Sequence, residues 1–286
     1  NDDVDRNKLF SPGISFGDMP EGNPARQAVA SLRGYAYQVA VAALSWIDVP
    51  ENDRIFLEVA EDYALVAQNA LQAVQVKDTA ASGTATLNTP GIRDAVGSFI
   101  DLVGRNPGRR VVLRYFTTSP IGTEHKIEDR PAGEAGLVYW RKAAGGADVA
   151  PLRAILLGGT FSETVRTFVS GRDDDALRRD LLQNIHWDCG APDLSVVTRE
   201  IEERLIVVGR DRFHIPADEA KRLADPLMND VLQVSVRAKA EERVLSRSML
   251  YQTIDAATRQ SVPRAWIDVL AVFFCFARID DGRRFR

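Results

Sequence analysis

Three polar residues in two neighbouring segments have the types and the spacing of a hydrolytic site. Asp62 follows one apolar stretch, and Gln75-Val76-Lys77 ends the next apolar stretch, thirteen residues later. Successive side chains of a strand point to opposite faces, so Gln75 and Lys77 would share one face while Val74 and Val76 pack on the other. A carboxylate and an amide oxygen suit a hard divalent cation, and Lys77 would stand over an attacking water.

Two other carboxylates, Glu58 and Glu61, compete with Asp62 for the role of metal ligand. In a regular strand Glu58 and Asp62 would share a face but lie about 13 Å apart, too far for one ion. A break after Ala60 would bring Asp62 towards the second segment, so Asp62 is the favoured ligand. A structural salt bridge between Lys77 and an acidic neighbour explains the same pattern without chemistry.

Composition limits the classes of protein to which the chain can belong. Its 286 residues include 36 basic and 40 acidic side chains, a net charge of −4, and 45% are hydrophobic. This is typical of a soluble globular protein of about two domains, and the acidity argues against nucleic-acid binding by the whole surface. Two cysteines indicate reduced thiols and a cytoplasmic location. No apolar run approaches the roughly 20 residues of a membrane span, so no membrane partner is expected.

The hydrophobic pattern predicts a mixed α/β fold followed by an all-α part. A long helix from Pro24 to near Pro50 precedes the two strand-like stretches, and a further helix and strand follow at about 91–103 and 110–117. This order favours a mixed central sheet flanked by helices. The predicted units are a flexible or wrapping arm at 1–24, an α/β domain at 25–160 and a helical regulatory or assembly domain at 161–286. Candidate helices of the last unit include 173–185, 217–244 and 264–277.

Three motifs occur in a fixed order along the first third of the chain. They are Arg33-Gly34-Tyr35-Ala36-Tyr37-Gln38, Leu57-Glu58-Val59-Ala60-Glu61-Asp62 and Val74-Gln75-Val76-Lys77. Together, over residues 28–120, they resemble the restriction-endonuclease-like PD-(D/E)XK superfamily, and within it the double-stranded-DNA nuclease modules at the N-termini of bacterial antiphage effectors.

That resemblance implies roles for individual residues. Asp62 would bind the metal, Gln75 would occupy the usual acidic position as a second ligand, Lys77 would be the catalytic lysine, and Gln38 would reach the site from the first helix. The implied cofactor is Mg²⁺ (or Mn²⁺), and the implied substrate is double-stranded DNA. The domain at 25–160 would then be a PD-(D/E)XK nuclease-like domain.

A basic cluster near the predicted strand at 110–117 is the candidate DNA contact. Arg105, Arg109 and Arg110 could hold a phosphate backbone, and a solvated surface is the alternative. Arg114 lies inside the strand and is a candidate for an interior ion pair instead.

The expected function is therefore a metal-dependent DNA endonuclease, an effector of a bacterial antiphage defence system that works as a homo-oligomer or with a partner sensor or ATPase. The alternative is a catalytically inactive nuclease-fold scaffold for binding or oligomerisation, favoured by Gln75 and the net acidity. A third hypothesis is a helical adaptor within 161–286. The chain has no phosphate-binding loop and no paired zinc ligands. It lacks an initial Met, and we expect it to belong to a longer protein.

Overall fold

One six-stranded sheet organises the chain in a computed structural model, which describes residues 29–79 and 83–261. The strands are β1 (Arg54–Leu57), β2 (Tyr63–Val66), β3 (Ala70–Lys77), β4 (Arg110–Thr117), β5 (Ile185–Cys189) and β6 (Val244–Leu245). Their order across the sheet is β5-β4-β3-β2-β1-β6. The pairs β1–β2, β2–β3 and β1–β6 are antiparallel, whereas β3–β4 and β4–β5 are parallel. The sheet is therefore mixed, as predicted.

Helices cover both faces of this sheet. They are α1 (Val29–Asp48), α2 (Pro90–Arg105), α3 (Gly136–Ala144), α4 (Ala150–Leu156), α5 (Glu163–Ser170), α6 (Asp174–Asp180), α7 (Leu194–Val208), α8 (Ala217–Lys221), α9 (Ala224–Ser235) and α10 (Arg247–Ser261). In the described residues, no helix combines the length and the apolar character that crossing a membrane would require.

Alternation along β3 explains the two hydrophobic cores. Leu71 and Ala73 belong to the core on the face that α2 covers, whereas Val74 and Val76 belong to the core on the face that α1 covers. The α1 core also contains side chains of α7, α9 and α10. Burying both faces of β3 fixes its register, since a slip of one residue would exchange the two sets of side chains.

The expectation of an all-α part beyond residue 160 is wrong, because β5 and β6 come from it. The predicted helix at 173–185 stops at Asp180, and Ile185–Cys189 pairs with β4. Within β5 the residues Ile185 and Trp187 are buried while His186 is exposed, an alternation typical of a strand. The predicted helix at 217–244 divides into α8, α9 and β6. A domain boundary at residue 160 stays a prediction.

Two further predictions concern the ends of the chain. The arm at 1–24 and the helix at 264–277 lie outside the described residues.

A buried carboxylate ties the segment before α2 to the start of α3. Glu124 is 1% exposed. Its two oxygens accept hydrogen bonds from the backbone N–H groups of Leu87, at 2.9 Å, and Gly136, at 3.0 Å. Both contacts need an acceptor oxygen, and a carboxyl side chain offers two, whereas an amide side chain offers one.

We therefore expect Glu124→Gln to lower the free energy of unfolding by about 2–4 kcal/mol, because its NH₂ group would face a buried N–H. Urea unfolding of the purified chain measures this. Glu128→Gln is the matched control: the side chain of Glu128 is 75% exposed, and its replacement should change stability by less than about 0.5 kcal/mol. Equal effects of the two substitutions would show that the buried contacts of Glu124 contribute nothing.

Candidate functional site

A strained loop at 58–62 joins β1 to β2. The last strand pair is Leu57 with Tyr63, and the Glu58 N–H donates to the Asp62 carbonyl at 3.0 Å. Glu58 and Glu61 have φ values of 51° and 65°, in the left-handed region. Each costs about 1–2 kcal/mol for a residue with a Cβ. The strand therefore breaks at Glu58, earlier than the predicted break after Ala60.

The break places the carboxylate of Asp62 against β3. Pairing between β2 and β3 ends at Tyr63 and Val74, so β2 offers the Val76 N–H no backbone acceptor. The Asp62 Oδ2 accepts a hydrogen bond from this N–H at 2.5 Å. A carboxylate thus replaces the missing strand neighbour, at the residue between Gln75 and Lys77.

Helix α1 contributes the second partner of Asp62. The Gln38 Nε2 donates to the Asp62 Oδ1 at 2.8 Å and lies 3.4 Å from the Val76 carbonyl oxygen. One amide group therefore connects α1, the 58–62 loop and β3. Near the start of the same helix, Arg33 forms an ion pair with Asp78 at 2.5 Å, which fixes α1 against the end of β3.

Gln75 and Lys77 flank this contact without strong partners of their own. The Gln75 Oε1 is buried and has no hydrogen-bond partner among the described residues. Lys77 forms no ion pair within 4 Å with any residue of 29–79 or 83–261. The structural salt bridge considered from the sequence is therefore not formed among these residues. The positive charge of Lys77 nevertheless acts on Asp62, Glu58 and Glu61, and it opposes part of the rise in pKa that burial causes in each of them.

Burial is the largest influence on these three carboxylates and raises the pKa of each above its ordinary value. For Asp62 the Val76 N–H, Lys77 and Gln38 oppose this effect without cancelling it. For Glu58 the charge of Asp62 adds to the rise. The cluster therefore concentrates negative charge that a proton or a cation would stabilise.

The donor set fits a lightly coordinated Mg²⁺ better than a fully enclosed metal. No group of three or more His, Cys, Asp or Glu side chains arranged around an ion occurs in residues 29–79 and 83–261. Mg²⁺ keeps several water ligands and often takes only one or two protein carboxylates. The carboxylate of Asp62 and the unpartnered Gln75 Oε1 are oxygen donors of this kind.

The basic cluster is divided between two places. Arg105 ends α2 and lines a cleft of about 190 Å³ with Glu61, Ser98 and Asp101. Arg110 pairs with Ala70, seven residues before the end of β3, so it lies about 23 Å from Lys77.

Arg109 is exposed beside Arg110, at the same distant end. Only Arg105 therefore lies on the side of the Asp62 loop, and DNA contact by these three residues stays a prediction. Arg114 forms an ion pair with Asp188 at 2.8 Å, so the pairing considered for it is present, but both side chains are only partly buried and the pair is not an interior one.

Two contributors to the site were missed from the sequence. Ser98 of α2 donates a hydrogen bond to Glu61, and the Val76 main chain binds Asp62. A serine on a helix carries no signal of such a contact. The role of the Val76 N–H follows from the point at which β2 and β3 stop pairing. It could have been predicted if the break at 58–62 had been located correctly.

Comparison with known proteins gives structural matches alone. No family model matches the chain, and no curated protein matches it. It is similar to a solved structure of the Acinetobacter baumannii Cap4 SAVED/CARF-domain containing receptor with the cyclic trinucleotide 3'3'3'-cAAA (15% identity, TM-score 0.47, 79% of this chain and 45% of that chain). A Moraxella osloensis Cap4 SAVED/CARF-domain containing receptor matches at 14% identity and TM-score 0.44, over 80% of this chain and 48% of that one. The chain thus spans just under half the length of these receptors.

These comparisons correct two expectations. The matching structures are described as SAVED/CARF-domain receptors and not as PD-(D/E)XK nucleases, so the superfamily suggested by the three motifs is wrong. The DNA endonuclease function expected of the chain, and the inactive nuclease-fold scaffold that was its alternative, are wrong with it. A homo-oligomer or a partner protein stays a prediction.

The raised pKa of Asp62 gives a pH dependence with a definite sign. The folded chain binds the Asp62 proton more tightly than the unfolded chain does, so the contribution of this group to stability is largest at low pH. It is lost as the pH rises from the unfolded pKa through the folded pKa. We expect the stability of the wild type relative to Asp62→Asn to fall between about pH 4 and about pH 7.

Urea unfolding of both proteins at the two pH values measures the difference. The exposed Asp218 provides the control, since the gap between wild type and Asp218→Asn should stay nearly constant. A relative stability of the wild type that rises with pH would contradict the assigned direction.

Proposed function

We propose that the cluster around Asp62 binds a divalent cation, Mg²⁺ or Mn²⁺, and hydrolyses a phosphodiester bond. The observation that carries the proposal is the hydrogen bond from the Val76 N–H to the Asp62 carboxylate. It holds a carboxylate oxygen of Asp62 at Val76, whose neighbours in β3 are Gln75, with an amide oxygen, and Lys77, with an ammonium group. These are the three types of group that cation-assisted attack of water on phosphorus requires.

The charges of the site support a cation at this place. The charge of Asp62 acts on Glu58 and on Glu61, and all three carboxylates have a raised pKa. Desolvation opposes ionisation of all three groups, and repulsion by Asp62 adds to it for the two glutamates. A divalent cation would offset that repulsion, and the buried Gln75 Oε1 would gain a partner that it lacks among the described residues. Asp62 and Gln75 are thus the proposed ligands.

A bound cation would supply Lewis-acid chemistry at the phosphate oxygens. The chain's own residues would do the rest. The Lys77 ammonium would orient the attacking water and offset the negative charge that builds on the phosphate in the transition state. Water oxygen forms a bond to phosphorus and gives up a proton, the ester P–O bond breaks, and the departing oxygen takes up a proton.

Gln38 has a positioning role in this scheme. Its amide holds the Asp62 Oδ1 at 2.8 Å and leaves the remaining lone pairs of the carboxylate free to face a ligand. Such outer partners orient metal ligands, and their loss typically costs 10- to 100-fold in metal affinity or activity.

Hydrolysis of bis(4-nitrophenyl) phosphate tests the proposal, because this probe contains a phosphodiester and no polymer. We expect the wild-type chain to release nitrophenolate with Mg²⁺ or Mn²⁺ and to stop when EDTA is added. Asp62→Asn and Lys77→Met should each lower the rate by about 100-fold or more.

Matched controls are available for both substitutions. Asp218→Asn and Lys126→Met change exposed residues of the same types far along the chain, and they should leave the rate unchanged. A wild-type chain that is inactive with both metals would contradict the proposal. So would equal rates for the wild type and the two site variants.

A further inference from the structure

An apolar groove runs between α1 and α9. Its lining includes Leu32, Tyr35 and Val39 of α1 and Met228 and Leu232 of α9, and its volume is about 500 Å³. Leu32 is 68% exposed and Leu232 is 40% exposed. Large exposed apolar surfaces of this kind usually mark a binding site for another apolar segment.

The chain itself contains a segment of matching chemistry. Twenty-five residues, 262–286, follow the end of α10. Among them Val269–Ala277 has nine uncharged apolar residues, including Phe273, Phe274 and Phe276. The 28 residues before α1 carry no comparable stretch. An apolar segment of nine residues cannot stay in water without cost, since each fully buried aliphatic or aromatic side chain gains about 1.5–3 kcal/mol.

The connection from α10 is long enough for this segment to reach the groove. Helix α10 packs on α9, and the Thr253 hydroxyl donates to the Asp230 carboxylate at 2.5 Å. Seven residues, 262–268, separate Ser261 from Val269, and they can span up to about 25 Å. Helix α9 has 12 residues and is therefore about 18 Å long.

We propose that Val269–Ala277 of the same chain binds in the groove between α1 and α9. The bound segment would cover the exposed side chains of Leu32 and Leu232. It would also lie next to the Asp62 site, because Tyr35 and Val39 line both the groove and a small cavity that Gln38, Glu58 and Asp62 line.

Disulfide trapping in the full chain tests this contact, because Cys275 lies inside the segment. Cys189→Ser removes the other native thiol, and L32C or L232C then adds one thiol to the groove. Leu157→Cys is the matched control: Leu157 is 39% exposed and directly follows α4, in the layer on the opposite face of the sheet.

After mild oxidation, we expect a disulfide within single chains between Cys275 and the thiol of L32C or L232C, identified by mass spectrometry of peptides. The L157C protein should form none. Disulfides that join two chains would overturn the proposal in favour of a second copy as the occupant. The absence of a disulfide at both groove positions, or equal trapping in L157C, would also overturn it. Disulfide formation does not require hydrolysis of a phosphodiester, so this experiment can fail or succeed independently of the test of the proposed function.

Discussion

The hydrogen bond between the Asp62 carboxylate and the Val76 N–H is the constraint on which the rest of the site depends. It satisfies an amide that β2 leaves without a backbone acceptor, and through Gln38 it also fixes α1. The geometry has a cost, because two glutamates adopt left-handed backbone conformations and a carboxylate is partly buried. Strain and buried charge of this kind persist where the surrounding structure enforces them, and they are commonly found at functional sites.

The elements around this contact could largely be predicted from hydrophobic periodicity. The strand at 110–117 and the alternation of Val74 and Val76 with Gln75 and Lys77 follow from side-chain direction alone. Arg33 of the first motif forms an ion pair with Asp78 at the end of β3. The break at Glu58 could not be located, because two glutamates with positive φ carry none of the usual glycine or asparagine signals of a turn.

What the sequence failed to predict depends on contacts between distant parts of the chain. β5 has five residues and β6 has two, and each is a strand because β4 or β1 lies beside it. Short segments of this length do not specify their own conformation. The family suggested by three short motifs was wrong for a related reason, since such motifs record local spacing and not the fold around it. Arg105 and Arg110 likewise lie close in sequence, yet only Arg105 lines the cleft with Glu61.

The central claim is that Asp62 holds a divalent cation, and titration of the folded chain with Mn²⁺, followed by electron paramagnetic resonance of the free ion, tests it most directly. The account predicts one Mn²⁺ bound per wild-type chain, loss of that binding in Asp62→Asn, and retention in Asp218→Asn. Mn²⁺ binding of equal affinity in the wild type and in Asp62→Asn, or no binding by the wild type, would contradict it.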